Sequence, residues 1–189
     1  MVDILNIIQS RRSAGVFSGD VDDLTIRTLI EEAAIWAPNH HLSEPWRFTV
    51  ITGSARERIG HEWALIAANE MEIKEPARSK YIATESSKLQ RAPVIIVVSQ
   101  HVNGTAIQVT EDHSAVAAAI ENLLLAAHGL GMAAHWKTGK MAYHDAFKNL
   151  IGVDSSDRII GLIYLGEGTE PKETLRHRKT EEILRWVRE

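Results

Sequence analysis

The 189-residue chain contains no cysteine. That absence excludes structural disulfides, thiolate nucleophiles, zinc–thiolate sites and dithiol redox chemistry, so any electron transfer must run through a bound cofactor. There is also no excess of positive charge. Twenty-one basic side chains against 25 acidic ones leave a formal charge of -4, which gives no electrostatic case for a nucleic-acid or anionic-membrane partner. No stretch approaches the roughly 18 uninterrupted apolar residues of a membrane span. The first residues, Met1 to Arg12, include Asp3 and lack a basic start followed by an apolar core, so they do not read as an export signal. The expectation is a cytoplasmic protein. Neither repeats nor a low-complexity linker divide the chain, and a hydrophobic share of 44% supports one globular domain over 1–189.

Familiar catalytic motifs are missing as well. There is no GxSxG elbow and no Walker loop. Gly129-Leu130-Gly131-Met132-Ala133-Ala134 has the letters of the dinucleotide fingerprint, but that mechanism needs a strand before the first glycine and a helix after the last. The order here is helix, then strand, so the glycines read as a helix end and tight turn. Lys137-Thr138-Gly139 matches one box of serine penicillin-binding enzymes, yet no serine stands three positions before any lysine. Nine histidines invite a metal reading, but His61-Glu62 has no histidine at residue 65 and no other pair has ligand-like helical spacing. No metal is expected.

What is present alternates helices with strands. Asp3 can cap a short helix carrying Ile4, Leu5, Ile7 and Ile8, which runs into Arg11-Arg12-Ser13. A second helix from Asp22 must stop before Pro38. Pro38 to Trp46 is a polar loop, followed by a strand over Arg47 to Thr52. Ser54-Ala55-Arg56-Glu57 has capping-box spacing and predicts a helix start. Glu62 to Gln90 reads as two helices joined near Pro76, closer to an exposed solvated face than to a lid. The apolar run Pro93 to Val98 predicts a central strand buried on both faces. Glu111 to His128 is apolar all round, so it is a buried helix or one covered by a second subunit. Met132 to Trp136 reads as a short strand, Ala142 to Leu150 as a helix closed by Gly152, and Arg158 to Gly166 as the last strand. Ile183, Leu184, Trp186 and Val187 mark a terminal segment that docks on something. The predicted fold class is α+β, with four or five strands.

Three segments carry chemistry. Arg11-Arg12-Ser13 offers two permanent cations and a hydroxyl at a helix exit, a seat for a phosphate or an anionic conjugated ring, although a solvated helix end would look the same. The Pro38 to Trp46 loop is rich in imidazole and amide donors. His135 to Lys140, leaving a strand, can lay donors along a planar heterocycle while tryptophan stacks on or near it.

In order and spacing these segments resemble the FMN-dependent nitroreductase family, especially its short bacterial branch. The resemblance rests on the helix ending in Arg-Arg-Ser, the Ala37-Pro38-Asn39-His40 loop closed by Pro45-Trp46, and the strand after Ala92-Pro93. It continues through the long helix ending in Gly-x-Gly, the Trp136-Lys137-Thr138-Gly139 turn, and the strand ending Tyr164-Leu165-Gly166. It implies a central, mostly antiparallel sheet flanked by helices, an intertwined homodimer, and two FMN sites at the subunit interface. Arg11, Arg12 and Ser13 would bind the phosphate, ribityl chain and pyrimidine edge of FMN. His40, with Trp36, would come from the partner subunit. Trp136, Lys137 and Thr138 would run beside the flavin, and Arg178 or else Arg176 would reach the phosphate. Ala127 to Gly131 is a looser candidate for contact near the nicotinamide.

One departure from the pattern stands out. Many larger members carry a lysine two residues after the Arg-x-Ser serine, where this chain has Gly15. Arg12, Lys137 or Lys88 would then compensate the charge of the reduced flavin. The implied activity is ping-pong transfer of hydride from NADH or NADPH to nitroaromatics, quinones or similar electron-poor acceptors. Because the cofactor carries the bond-making, no side chain is expected to be catalytic. Alternatives within the resemblance are reductive dehalogenation, ring oxidation or flavin fragmentation. A non-catalytic flavin-binding protein, or a cofactor-free interaction module, are the readings outside catalysis.

Overall fold

A computed structural model describes residues 3–168 and 178–188. Five strands make one sheet: β1 (Phe17–Ser18), β2 (Trp46–Thr52), β3 (Val94–Gln100), β4 (Ala133–Lys137) and β5 (Arg158–Gly168). Their order is β1-β5-β3-β2, with β4 also paired to β5, and every strand pairing is antiparallel. The helices are α1 (Ile4–Ser10), α2 (Asp23–Glu31), α3 (Ala55–Glu70), α4 (Ala77–Ser86), α5 (Ala106–Gly129), α6 (Asp145–Ile151) and α7 (Thr180–Ile183). The α+β class follows from the sequence pattern as expected. Among the described residues no helix is long and apolar enough to cross a membrane.

The strand period of two explains the two cores. Val94, Ile96 and Val98 of β3 join Ile163 and Leu165 of β5 beneath α5, which contributes Val116, Ile120 and Leu123. The intervening Ile95 and Val97, with Leu162 and Tyr164, face α3 and α6 and pack on Trp63 and Phe147. All seven residues of β3 are buried, as an apolar run with both faces covered requires.

Several expectations need correction. α3 begins at Ala55, where the Ser54 pattern predicts a helix start, but the capping box itself does not form: Ser54 has helical dihedrals (φ -68, ψ -18) and its side chain makes no cap hydrogen bond. A capping box exists instead at Thr105 and Gln108, and it starts α5 five residues before Glu111. The second helix does stop before Pro38, at Glu31, but short of Ala33 and Ala34, and Ala34–Trp36 is a separate 3-10 turn. α3 is not an exposed helix: it buries Ile59, Trp63 and Ala67 in the core against the sheet, whereas α4 buries only Glu85. The terminal segment does not dock on this protomer, since Ile183, Leu184, Trp186 and Val187 are all exposed.

Candidate functional site

α1 is capped by Asp3, whose carboxylate accepts from Leu5 N at 3.0 Å. At Arg11 the backbone turns extended (φ -56, ψ 131) and leaves the helix. It then runs along the free edge of β4. Ser13 forms a parallel bridge with Ala134, Ala14 N donates to Ala134 O at 3.1 Å, and His135 Nδ1 lies 2.7 Å from Ala14 O. Two segments 121 positions apart in the chain therefore meet in one place.

Backbone groups alternate from side to side along a strand, so Trp136 turns its N–H and C=O toward the same outer edge as Ala134. The Arg11-Arg12-Ser13 segment flanks that edge, and beyond Trp136 come exposed Thr138 and Gly139. Arg11 is half-buried and pairs with Glu121 of α5 at 3.5 Å. Arg12 folds back, its Nη1 donating to Gln9 O at 2.6 Å and to Arg11 O at 2.8 Å. Those carbonyls belong to the end of α1, where a cation is favoured by the helix dipole. The result is an edge with backbone donors and acceptors, two guanidinium groups and the Ser13 and Thr138 hydroxyls. Its chemistry suits a planar heterocycle joined to an anionic group.

The side chain of Trp136 does not stand over this edge. Its Nε1 donates to Ile160 O at 3.2 Å, and the indole covers Gly161 so closely that a Cβ there would lie 2.1 Å from that nitrogen. What Trp136 offers a ligand is its main chain. Lys137 points to the opposite sheet face, its ammonium 4.6 Å from the ring centroid of Tyr164. Burial, with the Arg91 guanidinium nearby, holds that ammonium below the usual lysine range.

Burial also pushes the Tyr164 hydroxyl up to about 12. An unfolded tyrosine ionises near pH 10, so the folded state holds its proton more tightly between those values. Stability from this group is intact below pH 10 and is lost as pH rises to about 12, by on the order of 2–3 kcal/mol. Urea unfolding at pH 9 to 12 should show that fall in the native protein and a flatter profile in Tyr164→Phe.

Trp36 and His40 lie elsewhere. Trp36 is 76% exposed, held by its Nε1 donating to Glu31 O at 3.1 Å. His40 Nδ1 contacts Glu111 Oε2 at 2.8 Å, and its ring stacks on His41 at 4.0 Å. Ser43 Oγ donates to Asp112 Oδ1 at 2.6 Å, which fastens this loop to the start of α5. Three of its residues, His41, Leu42 and Glu44, have φ between 42° and 54°, and such local strain concentrates in functional loops. Glu111 and Glu121 are ten residues apart on one helix, a rise of about 15 Å. One protomer thus keeps His40 away from Arg11. Arg178 is exposed and makes no hydrogen bond or ion pair among the described residues; Arg176 lies outside them.

Sequence reasoning missed Glu121 as the partner of Arg11, and Arg91 and Tyr164 around Lys137. All three are long-range neighbours, and no local motif announces them.

Comparison with known proteins identifies the family and the fold. The family model described as the nitroreductase family matches residues 8–167. YfhC of Bacillus subtilis (strain 168), provisionally named an NAD(P)H nitroreductase, is 27% identical over 170 residues, covering 89% of this chain and 86% of that protein. The crystal structure of a nitroreductase-like family protein from Bacillus cereus superposes with a TM-score of 0.87 at 28% identity, covering 99% of this chain and 97% of the other. A protein from Desulfovibrio desulfuricans, provisionally named a nitroreductase and solved in complex with FMN, has the same fold (TM-score 0.73, 23% identity, 100% and 98% covered). With the family model spanning most of its length, this chain belongs to the nitroreductase family.

Proposed function

We propose that the protein is an FMN-dependent oxidoreductase that takes hydride from NADH or NADPH in a ping-pong cycle and reduces nitroaromatics, quinones or similar electron-poor acceptors. The observation that carries this reading is the bridge laying Arg11-Arg12-Ser13 along the open edge of β4 beside Trp136 and Thr138. Membership of the nitroreductase family, the FMN bound to the Desulfovibrio relative and the name of the Bacillus relative support it.

FMN, when bound, supplies the site that accepts and then returns the hydride. The chain holds and orients it. Arg11 and Arg12 provide charge-assisted donors for the phosphate, and the Trp136 main chain and the Thr138 hydroxyl address the ring edge. Arg12 provides positive charge that offsets reduction in place of the lysine that Gly15 replaces, because the Lys137 ammonium lies on the opposite sheet face over Tyr164.

The site is completed in a homodimer, with His40 and Trp36 supplied by the partner subunit and the phosphate reached by Arg178. Exposed Ile4, Leu5 and Ile8 on α1, exposed Trp36 and Leu42, and half-buried Ala117, Ala118 and Leu125 on α5 give this assembly apolar surface to cover.

Anaerobic mixing of FMN-loaded protein with NADH or NADPH should bleach the flavin absorbance, and a nitroaromatic should restore it. Flavin left unbleached by both donors would instead mark a binding protein without turnover.

A further inference from the structure

A second cluster of charge lies on the other side of the sheet from α5. A cavity of about 190 Å³ opens between the 3-10 turn after α4 and the turn after β4. Its floor is Leu162 and Tyr164, and Arg91, Lys137 and Lys140 line it. Two further charges cancel each other there: Glu85, 7% exposed, is an ion-pair partner of Lys88 and also accepts from Trp63 Nε1 at 3.1 Å. Among the described residues Arg91, Lys137 and Lys140 have neither an ion-pair nor a side-chain hydrogen-bond partner. Three like charges around one partly desolvated space repel each other; burial first, and then the Arg91 guanidinium, hold the Lys137 ammonium below its usual range.

We propose that this cavity is a phosphate-binding site, separate from the cofactor edge. A phosphate dianion brings enough charge and acceptor oxygens to engage all three cations, with the Arg91 fork able to bind it bidentately. A single carboxylate would leave two of the three charges uncompensated. The cavity shares the α3 face with Tyr164, whereas Arg11 pairs with α5 on the opposite face, so the two anion seats are distinct. The inference does not depend on the cofactor reading. The source of the phosphate is either the free ion or the 2′-phosphate of a nucleotide.

Isothermal titration of the FMN-loaded protein with inorganic phosphate, in low-chloride buffer, reads the site without any turnover. Binding should weaken roughly tenfold in Arg91→Gln and again in Lys140→Gln, the loss expected for one charge-assisted contact each. Both side chains are exposed, so the variants should keep the native thermal midpoint. A parallel titration with 2′,5′-ADP separates the sources: tighter, Arg91-dependent binding supports a nucleotide, and binding no tighter than phosphate supports the free ion. Three results would overturn the site: no phosphate binding at millimolar concentration, affinity unchanged in both variants, or phosphate binding to the FMN-free protein that saturating FMN abolishes. The last would make the cavity the cofactor's own seat. Flavin absorbance in the same sample reports separately whether FMN binds at all.

Discussion

Trp63→Ala should lower the unfolding free energy by about 3–5 kcal/mol, the usual cost of emptying a buried aromatic site. Trp63 is only 2% exposed and is among the largest fully buried side chains. It projects from α3 into the core beneath β3 and β5, with Phe147 and His144 meeting it edge-on at centroid distances of 6.0 Å and 5.2 Å. The rigid sheet on one side and α6 on the other leave little freedom to collapse into the gap. Truncation also strips a donor from the buried Glu85 carboxylate, which alone costs about 1–3 kcal/mol. Against a typical total of about 5–15 kcal/mol, such a loss removes much of the stability margin. Trp63→Phe separates the two contributions, since it keeps most of the packing and loses the hydrogen bond. Urea denaturation with an unchanged slope is the measurement. A loss under 1 kcal/mol for the alanine variant would mean that α3 does not pack as described.

Arg11→Ala should weaken FMN retention by roughly ten- to more than a hundredfold, equivalent to about 1.5–3 kcal/mol for a hydrogen bond to a charged group. Arg11 is the stronger choice of the two arginines at this edge. Its guanidinium meets one partly exposed carboxylate at 3.5 Å, a weak competitor for a phosphate. Arg12 spends donors on Gln9 O and Arg11 O, so its replacement also loosens the end of α1 and mixes two effects. Fluorescence of released FMN after desalting checks the comparison. Equal retention in Arg11→Ala and the parent protein would remove Arg11 from the site.

Legibility in the sequence depended on how local each cause was. The run Val94 to Val98 betrayed β3 because a strand covered on both faces must be apolar at every position. Gly152 marked the end of α6 because it takes up φ 70°, where a side chain is unfavourable. Local patterns are right about position and wrong about cause. Ser54 and Glu57 have the letters of a capping box and α3 does start at Ala55, but no cap bond forms there, while Thr105 and Gln108 make the real one. From Glu62 onward α3 reads as a solvated helix because much of its buried stripe is alanine, which carries little hydrophobic signal, and Trp63 alone does not reveal it.

Two of the three chemical segments, Arg11-Arg12-Ser13 and Trp136-Lys137-Thr138, do come together. The inward turn of Trp136 was hidden because it depends on Gly161 across the β4–β5 pairing. The cation cavity was equally invisible, since Arg91 stands 46 positions before Lys137 and only the sheet brings them close. His40 stays on its own loop, tied to Glu111 near the other end of α5, and Trp36 sits in the turn after α2, held to Glu31 O.

The most direct measurement is an absorbance spectrum of the purified protein, incubated with FMN and desalted, taken with its molecular mass in the same buffer. Retained flavin at one FMN per chain, on a particle of twice the chain mass, is the expected result. A colourless monomer after incubation with FMN would contradict both the cofactor and the shared site.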